Sequence, residues 1–276
     1  MSDSLLPADD PVHPGSPVAT DKPGTPGESA ALDDGIEPDD PAGTAMRLRA
    51  RVAAATALLL ASAGQITDQQ AREPSLLPGW SRGHLLTHLA RNADSLRNLL
   101  TWARTGVTTP QYSSPDERSE GIERGAGRPA AELLADLEES AAALGTAAAS
   151  VPEAAWAAQV GWGHAGWYTL WRRLTEVEIH HVDLGLGYSP EDWPEAFASY
   201  SLEQYAAHIS TLARCPAVVL RSSDAPVVTR IGPSADEPAT TVTGPVRDLL
   251  TWLTGRSPGT GLSAEPAGPL PALPSL

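Results

Sequence analysis

The sequence has 276 residues and a formal net charge of −15, but ten acidic side chains and a single lysine lie in residues 1–43, so the remainder is only mildly acidic. The arginines are scattered and form no stripe that could neutralise successive phosphates, which argues against nucleic-acid binding. The only cysteine, Cys215, excludes an internal disulfide and a cysteine-rich metal site, and it fits a reducing compartment.

Both ends of the chain have the composition of disordered segments. Residues 1–43 are rich in Pro, Gly, Asp and Ser, and residues 257–276 repeat Pro and Gly, so we predict a disordered acidic arm and a disordered tail. The uncharged, Ala- and Leu-rich stretch of residues 52–65 is too short to cross a bilayer, and no secretory signal pattern is visible. We therefore expect a cytoplasmic protein without a membrane partner.

Four long segments with helical periodicity follow the arm. They span residues 44–66, 81–105, 129–150 and 166–185. In the second, apolar side chains recur every three or four residues, and Ser81 is placed to cap its first turn. In the fourth, two adjoining faces are apolar, which predicts a largely buried helix. The sequence thus predicts a four-helix bundle over residues 44–190.

The pattern changes in the last third of the chain. A further helix is predicted over residues 194–214, followed by short β-rich runs and a closing helix. The runs are Ala217–Arg221, Val227–Ile231 and Thr240–Thr243, and the closing helix is Pro245–Gly255. This order is typical of a small α/β domain, predicted over residues 194–256. The expected fold class is mainly α, a four-helix bundle with a small C-terminal α/β domain and disordered termini.

Three polar residues on the second and fourth helices are candidate metal ligands. Glu176 and His180 are four residues apart and project from one helix face among apolar neighbours, where an unpaired carboxylate is unfavourable. His88 lies at the margin of the apolar stripe of the second helix. Three ligands from two facing helices leave coordination positions open, which is typical of a catalytic site. Nitrogen and carboxylate ligands suit zinc best, although they do not exclude another divalent ion.

Each of these residues also has a purely structural interpretation. His88 alone could be a hydrogen-bonded core histidine, and Glu176 with His180 could be an ion pair on a solvated face. His84 competes with His88, although it lies in the first turn, near solvent. The fourth helix carries a second possible ligand pair and a carboxylate that could hydrogen-bond to a ligand histidine. These are Glu178 with His181 as the alternative pair, and Asp183 as an acceptor that orients a ligand histidine.

Two stretches resemble a known family. Residues 77–94, LPGWSRGHLLTHLARNAD, and residues 173–184, RLTEVEIHHVDL, are similar to the mycothiol-dependent maleylpyruvate isomerases, a branch of the DinB-like metal-binding bundles. The resemblance extends over roughly residues 44–256. It implies that the histidine eight residues after the tryptophan, His88, is a metal ligand together with Glu176 and His180. It also implies a small C-terminal α/β domain.

The resemblance further implies an activity. Members of this family isomerise the cis double bond of maleylpyruvate to the trans bond of fumarylpyruvate, with a metal and the thiol mycothiol as cofactors. A thiolate adds to the conjugated alkene, the resulting single bond rotates, and elimination restores the alkene. A metal held by two imidazoles and one carboxylate keeps a positive charge, which favours the thiolate. The expected partners are therefore a small dicarboxylate substrate and a low-molecular-weight thiol.

We expect arginine side chains to bind a dicarboxylate substrate, because the two parallel N–H groups of a guanidinium match the two oxygens of a carboxylate. The candidates are Arg118, in the predicted loop after the second helix, and Arg256, at the end of the closing helix; either could instead be an exposed surface arginine.

Two other functions stay open. The bundle could be a mycothiol S-transferase that acts on electrophiles, or a non-catalytic metal-binding regulatory module whose acidic arm recruits a partner.

Overall fold

The computed structural model describes residues 36–37, 39–232 and 239–274. The chain divides into two compact units, with the boundary between Leu184 and Gly185, a few residues before the predicted end of the bundle. Most of the predicted disordered arm lies outside the described residues. Residues 41–43, which were predicted to belong to the disordered arm, instead form the start of the first helix.

In its described residues, the first unit contains six α-helices. They are α1 (Pro41–Ala63), α2 (Asp68–Arg72), α3 (Arg82–Thr105), α4 (Pro115–Ala126), α5 (Ala130–Ala149) and α6 (Tyr168–Asp183). Four of them, α1, α3, α5 and α6, are the long helices that the periodicity predicts. In the described part of the chain, no helix combines the length and apolar character needed to span a membrane.

The four long helices form a bundle. Helices α1 and α3 each pack against both α5 and α6, so the four enclose one core. The apolar stripe of α3 faces this core, because its leucines and alanine are fully buried. They are Leu85, Leu89, Ala93, Leu96 and Leu100. Ser81 caps α3 as predicted, since its hydroxyl accepts a hydrogen bond from the backbone N–H of His84. The predicted bundle is confirmed.

Helix α6 is buried along nearly its whole length, as its two apolar faces predict. Burial on all sides requires partners for its polar side chains. The Arg173 guanidinium illustrates this, because its Nη1 donates to the Leu89 backbone carbonyl at 2.7 Å and to Asn92 Oδ1 at 2.9 Å, both on α3. These bonds fix the register between α3 and α6, the two helices that carry the candidate ligands.

Helix α4 corrects the predicted loop after α3. It begins after Ser114, whose hydroxyl accepts a hydrogen bond from the Glu117 backbone N–H at 3.1 Å. Arg118 therefore lies on a helix and not in a loop. Helix α4 packs closely on α3, since a Cβ added to Gly83 would lie 2.2 Å from the Ala126 carbonyl oxygen. This close approach requires glycine at residue 83.

The second unit is the predicted α/β domain. It contains α7 (Glu195–Ser210), α8 (Val246–Leu253) and a four-stranded sheet. The strands are β1 (Val218–Ser222), β2 (Val228–Ile231), β3 (Thr240–Gly244) and β4 (Ser263–Glu265), in the order β2-β1-β3-β4. Only the β1–β3 pair is parallel, and α8 packs on both of these strands. Strand β4 corrects the prediction of a disordered tail, because it pairs antiparallel with β3.

Candidate metal centre

The three predicted ligands converge inside the bundle. One potential ligand atom from each of His88, Glu176 and His180 lies within 4.8 Å of the other two. His88 Nε2 is 2.9 Å from Glu176 Oε2, and His180 Nε2 is 3.4 Å from the same oxygen. All three side chains are at least 95% buried. The packing of α3 on α6 thus assembles the group that the sequence predicts.

Neighbouring side chains hold each imidazole in place. His180 Nδ1 lies 2.9 Å from Asp183 Oδ2, so Nδ1–H donates to this carboxylate and Nε2 faces Glu176. The Trp80 indole packs on the His88 ring with centroids 5.4 Å apart, and the His88 and His180 rings meet edge to face. Asp183 therefore occupies the place of the predicted supporting acceptor.

Burial and charge set the protonation of the group. Burial lowers the pKa of His88 to about 4, an effect that exceeds the opposing influence of Glu176, so this imidazole is neutral at neutral pH. Burial lowers the pKa of His180, but the Asp183 and Glu176 carboxylates outweigh it and raise that pKa overall. Burial raises the pKa of Glu176, but the two histidines lower it well below its usual range. A cation that binds Glu176 would take the place of a proton on His180.

The donor set fits a divalent cation. His180 Nε2 is buried and makes no hydrogen bond among the described residues; its near neighbour is Glu176 Oε2 at 3.4 Å, while its Nδ1 is bonded to Asp183. A buried imidazole nitrogen of this kind is unfavourable unless a further group binds it. Two imidazoles and one carboxylate, one imidazole being oriented by a second carboxylate, are the ligands that zinc and similar ions bind. Binding of a cation by these three residues stays a prediction.

The alternative ligands lie elsewhere. The grouping of three potential ligands in the described chain includes neither His84 nor the pair Glu178 and His181. His84 accepts from the Ser81 backbone N–H at the start of α3. His181 Nε2 lies 2.7 Å from Ser62 Oγ on α1, so this ring points toward a different helix.

The two predicted arginines lie in different units. Arg118, on α4, is buried, and its Nη2 lies 3.5 Å from His88 Nδ1, so it borders the candidate metal centre. Arg256 follows α8 in the second unit, where its Nη1 donates to the Thr254 carbonyl oxygen. Its role in substrate binding stays a prediction.

Sequence reasoning did not identify Arg172. Its Nη2 lies 3.7 Å from Glu176 Oε1, and the side chain is largely buried. The signal for it was present, because Arg172 precedes Glu176 by four residues and so lies on the same helix face. Arg172 beside Glu176 and Arg118 beside His88 thus place two positive charges next to the three-residue cluster.

Asp183→Asn tests whether the carboxylate orients His180. We expect the affinity for Zn²⁺ to fall about 10–100-fold, because an amide holds the Nδ1 proton less strongly. A competition titration against a chromogenic chelator measures this. Asp136→Asn is the matched control, since Asp136 pairs with Arg91 and Arg128 and not with the cluster. Wild-type affinity in Asp183→Asn would show that Asp183 has no such role.

The fold and the buried cluster define a helical-bundle protein with an internal group suited to a divalent cation. The chain belongs to the mycothiol maleylpyruvate isomerase family, because residues 21–185, more than half of its length, match the family model described as the mycothiol maleylpyruvate isomerase N-terminal domain. This confirms the resemblance found in the sequence.

Two solved structures are similar to the chain over most of its length. One is a crystal structure of a histidine-to-alanine mutant of the mycothiol-dependent maleylpyruvate isomerase, with a TM-score of 0.76. The other is a crystal structure of the mycothiol-dependent maleylpyruvate isomerase, with a TM-score of 0.73. Each is 29% identical to this chain, and the match covers 84% of this chain and 97% of the other. Comparison with curated proteins gives no match.

Proposed function

We propose that this protein catalyses the metal- and mycothiol-dependent cis–trans isomerisation of maleylpyruvate, or of a similar cis-unsaturated dicarboxylate, to fumarylpyruvate. The observation that carries the proposal is the convergence of His88, Glu176 and His180 inside the bundle, with His180 Nε2 left for a further ligand. The family and the two similar structures support the same reaction.

In this proposal His88, Glu176 and His180 hold a divalent cation, with zinc as the best fit to the donor set. When bound, the cation and mycothiol would supply a thiolate nucleophile at neutral pH, whose reversible addition makes the double bond rotatable. Asp183 keeps the Nδ1 proton on His180 and so leaves Nε2 for the cation. Burial of the cluster keeps bulk water from the reacting groups.

The arginines have separate roles in this proposal. Arg118 binds a substrate carboxylate beside His88, because a guanidinium donates two parallel hydrogen bonds to a carboxylate. Arg172 adds positive charge on the Glu176 side and so favours anionic substrates in the site. Arg256 is proposed as a further carboxylate-binding group, on its position after α8 and on the family resemblance.

The test is an isomerisation assay on the full chain, first stripped of metal and then loaded with Zn²⁺. The protein is incubated with maleylpyruvate, with and without mycothiol, and the alkene protons are followed by NMR. We expect conversion to the trans isomer only with both zinc and mycothiol, and no net consumption of the thiol. Accumulation of a stable thioether instead of the trans alkene would contradict isomerisation and favour an S-transferase.

A further inference from the structure

A groove of about 650 Å³ runs between α1 and α5, with α6 at its floor. We call it the α1–α5 groove. Its volume falls within the roughly 300–1,000 Å³ typical of small-molecule sites. Its lining includes neither the three candidate metal ligands nor Arg118, so it is separate from the proposed catalytic site.

Small side chains create this groove. They recur every three or four residues on each helix, and so form one row along α1 and a second row along α5. The residues are Ala50, Ala53, Ala57, Ala141, Gly145 and Ala148. An alanine methyl group fills little of the space between two helices, and a glycine fills none of it. The seam between α1 and α5 therefore stays open where other helix pairs are filled by larger side chains.

The groove is elongated and mainly apolar. On α1 its lining extends from Met46 to Leu60, a rise of about 20 Å along the helix. Leu144 and Leu170 add apolar surface from α5 and α6. Met46 is 66% exposed, so this part of the groove is open to solvent. A ligand that covers the groove gains hydrophobic stabilisation in proportion to the apolar area that it removes from water.

A buried cation lies at the floor of the groove. Arg173 lines the groove and is only 1% exposed. Its Nη1 is bonded to the Leu89 carbonyl oxygen and to Asn92 Oδ1, but its Nη2 has no hydrogen-bond partner among the described residues. Burial of a charged donor without an acceptor is unfavourable. An anionic acceptor that reached Nη2 through the groove would remove this cost.

The charge of Arg173 is not cancelled by the rest of the lining. Burial lowers the pKa of Arg173 to about 10, so the guanidinium is protonated at neutral pH. The other charged residues in the described lining are Arg49 and Glu138, which are exposed and of opposite sign. The groove therefore carries one net positive charge, which is complementary to a ligand with a single negative charge.

We propose that the α1–α5 groove binds a carboxylate with an unbranched hydrocarbon chain, such as a medium-chain fatty acid. The carboxylate accepts a hydrogen bond from Arg173 Nη2 at the floor, and the chain lies between the alanine rows of α1 and α5. An unbranched chain suits a long groove with small side chains on both sides. This assignment depends neither on the metal centre nor on the proposed isomerisation.

The first test is calorimetric titration of the full chain with sodium decanoate, at concentrations where decanoate is monomeric. We expect one saturable site. Octanoate is two methylenes shorter and should bind about tenfold more weakly, because each buried methylene adds a similar gain. Decanol has the same chain without the charge and should also bind at least about tenfold more weakly. Equal binding of decanoate and decanol, or the lack of a saturable site, would overturn the proposal.

Gly145→Leu tests whether the ligand lies in the groove. Gly145 is inside α5, an added Cβ there meets nothing within 4 Å, and replacement of a helical glycine favours the helix. Because the leucine takes up space in the groove, we expect the affinity for decanoate to fall about tenfold or more. Thr146→Leu is the matched control, since residue 146 is exposed on the same helix and outside the lining. Equal affinity in the two variants would refute binding in the groove.

Arg173→Met tests where the carboxylate lies. Methionine has no charge, so decanoate should bind this variant no better than decanol does. Arg49→Ala should keep the preference for decanoate, because Arg49 is exposed and its charge is screened. Circular dichroism checks the fold of Arg173→Met, which loses the bonds to Leu89 and Asn92; if it does not fold, Gly145→Leu and the decanol comparison decide the proposal. Loss of the preference in Arg49→Ala alone would overturn the assignment to Arg173.

Discussion

Glu176→Gln is expected to reduce the affinity for Zn²⁺ by more than about 100-fold, because changes in groups that merely orient metal ligands already cost 10–100-fold. The substitution keeps the shape of the side chain and removes the only carboxylate of the three-residue cluster. Two neutral imidazoles and an amide offset little of the desolvation of a divalent cation in a buried site. Mycothiol-dependent isomerisation should be lost together with the metal.

The matched control is Glu178→Gln, on the same helix. Glu178 is as deeply buried as Glu176, so the two substitutions place an amide in similarly buried surroundings. Metal content by mass spectrometry and affinity by chelator competition should change only in Glu176→Gln. The opposite outcome, with loss of metal in Glu178→Gln alone, would assign the site to Glu178 and His181 and refute the present cluster.

The bundle could be predicted because its signals are local and long. Leu85, Leu89 and Leu96 recur on one face of α3 over several turns, and Ser81 has a side chain that caps a helix. The cluster could be predicted for a related reason. Glu176 and His180 share one face of a helix and have the apolar neighbours Val177 and Ile179, and a family motif adds His88 from another helix.

Helix α4 and strand β4 have weaker local signals. Among the residues of α4 whose burial is described, only Arg118, Ile122, Gly125 and Ala126 are buried, and glycine is a poor helix former, so the pattern resembles a loop. Strand β4 has three residues in a Pro- and Gly-rich tail. Its pairing with β3 depends on contacts that the local sequence does not contain. The approach of Arg118 to His88 could not be predicted from residue spacing for the same reason, because it depends on how α4 packs on α3.

Arg118→Ala is expected to lower kcat/KM for maleylpyruvate by about 10–100-fold, because a hydrogen bond to a charged group contributes roughly 1.5–3 kcal/mol. The zinc content should stay the same, since Arg118 lies next to His88 Nδ1, on the side of the ring away from Nε2, and supplies no ligand. Steady-state kinetics with each substrate varied in turn measure the effect. Arg118→Lys should recover part of the activity, because lysine restores the charge without the planar fork.

The control for Arg118→Ala is Arg104→Ala, an exposed arginine in the last turn of α3, which should leave kinetics unchanged. A second readout identifies what Arg118 binds. S-methyl mycothiol, an uncharged form of the thiol whose sulfur is blocked, is titrated into the zinc-loaded variant, and a carboxylate-binding role for Arg118 predicts nearly normal affinity for it. Conjugation of mycothiol to a neutral electrophile should likewise persist. If Arg118→Ala instead lost thiol binding and kept its KM for maleylpyruvate, the guanidinium would serve the cofactor and not the substrate.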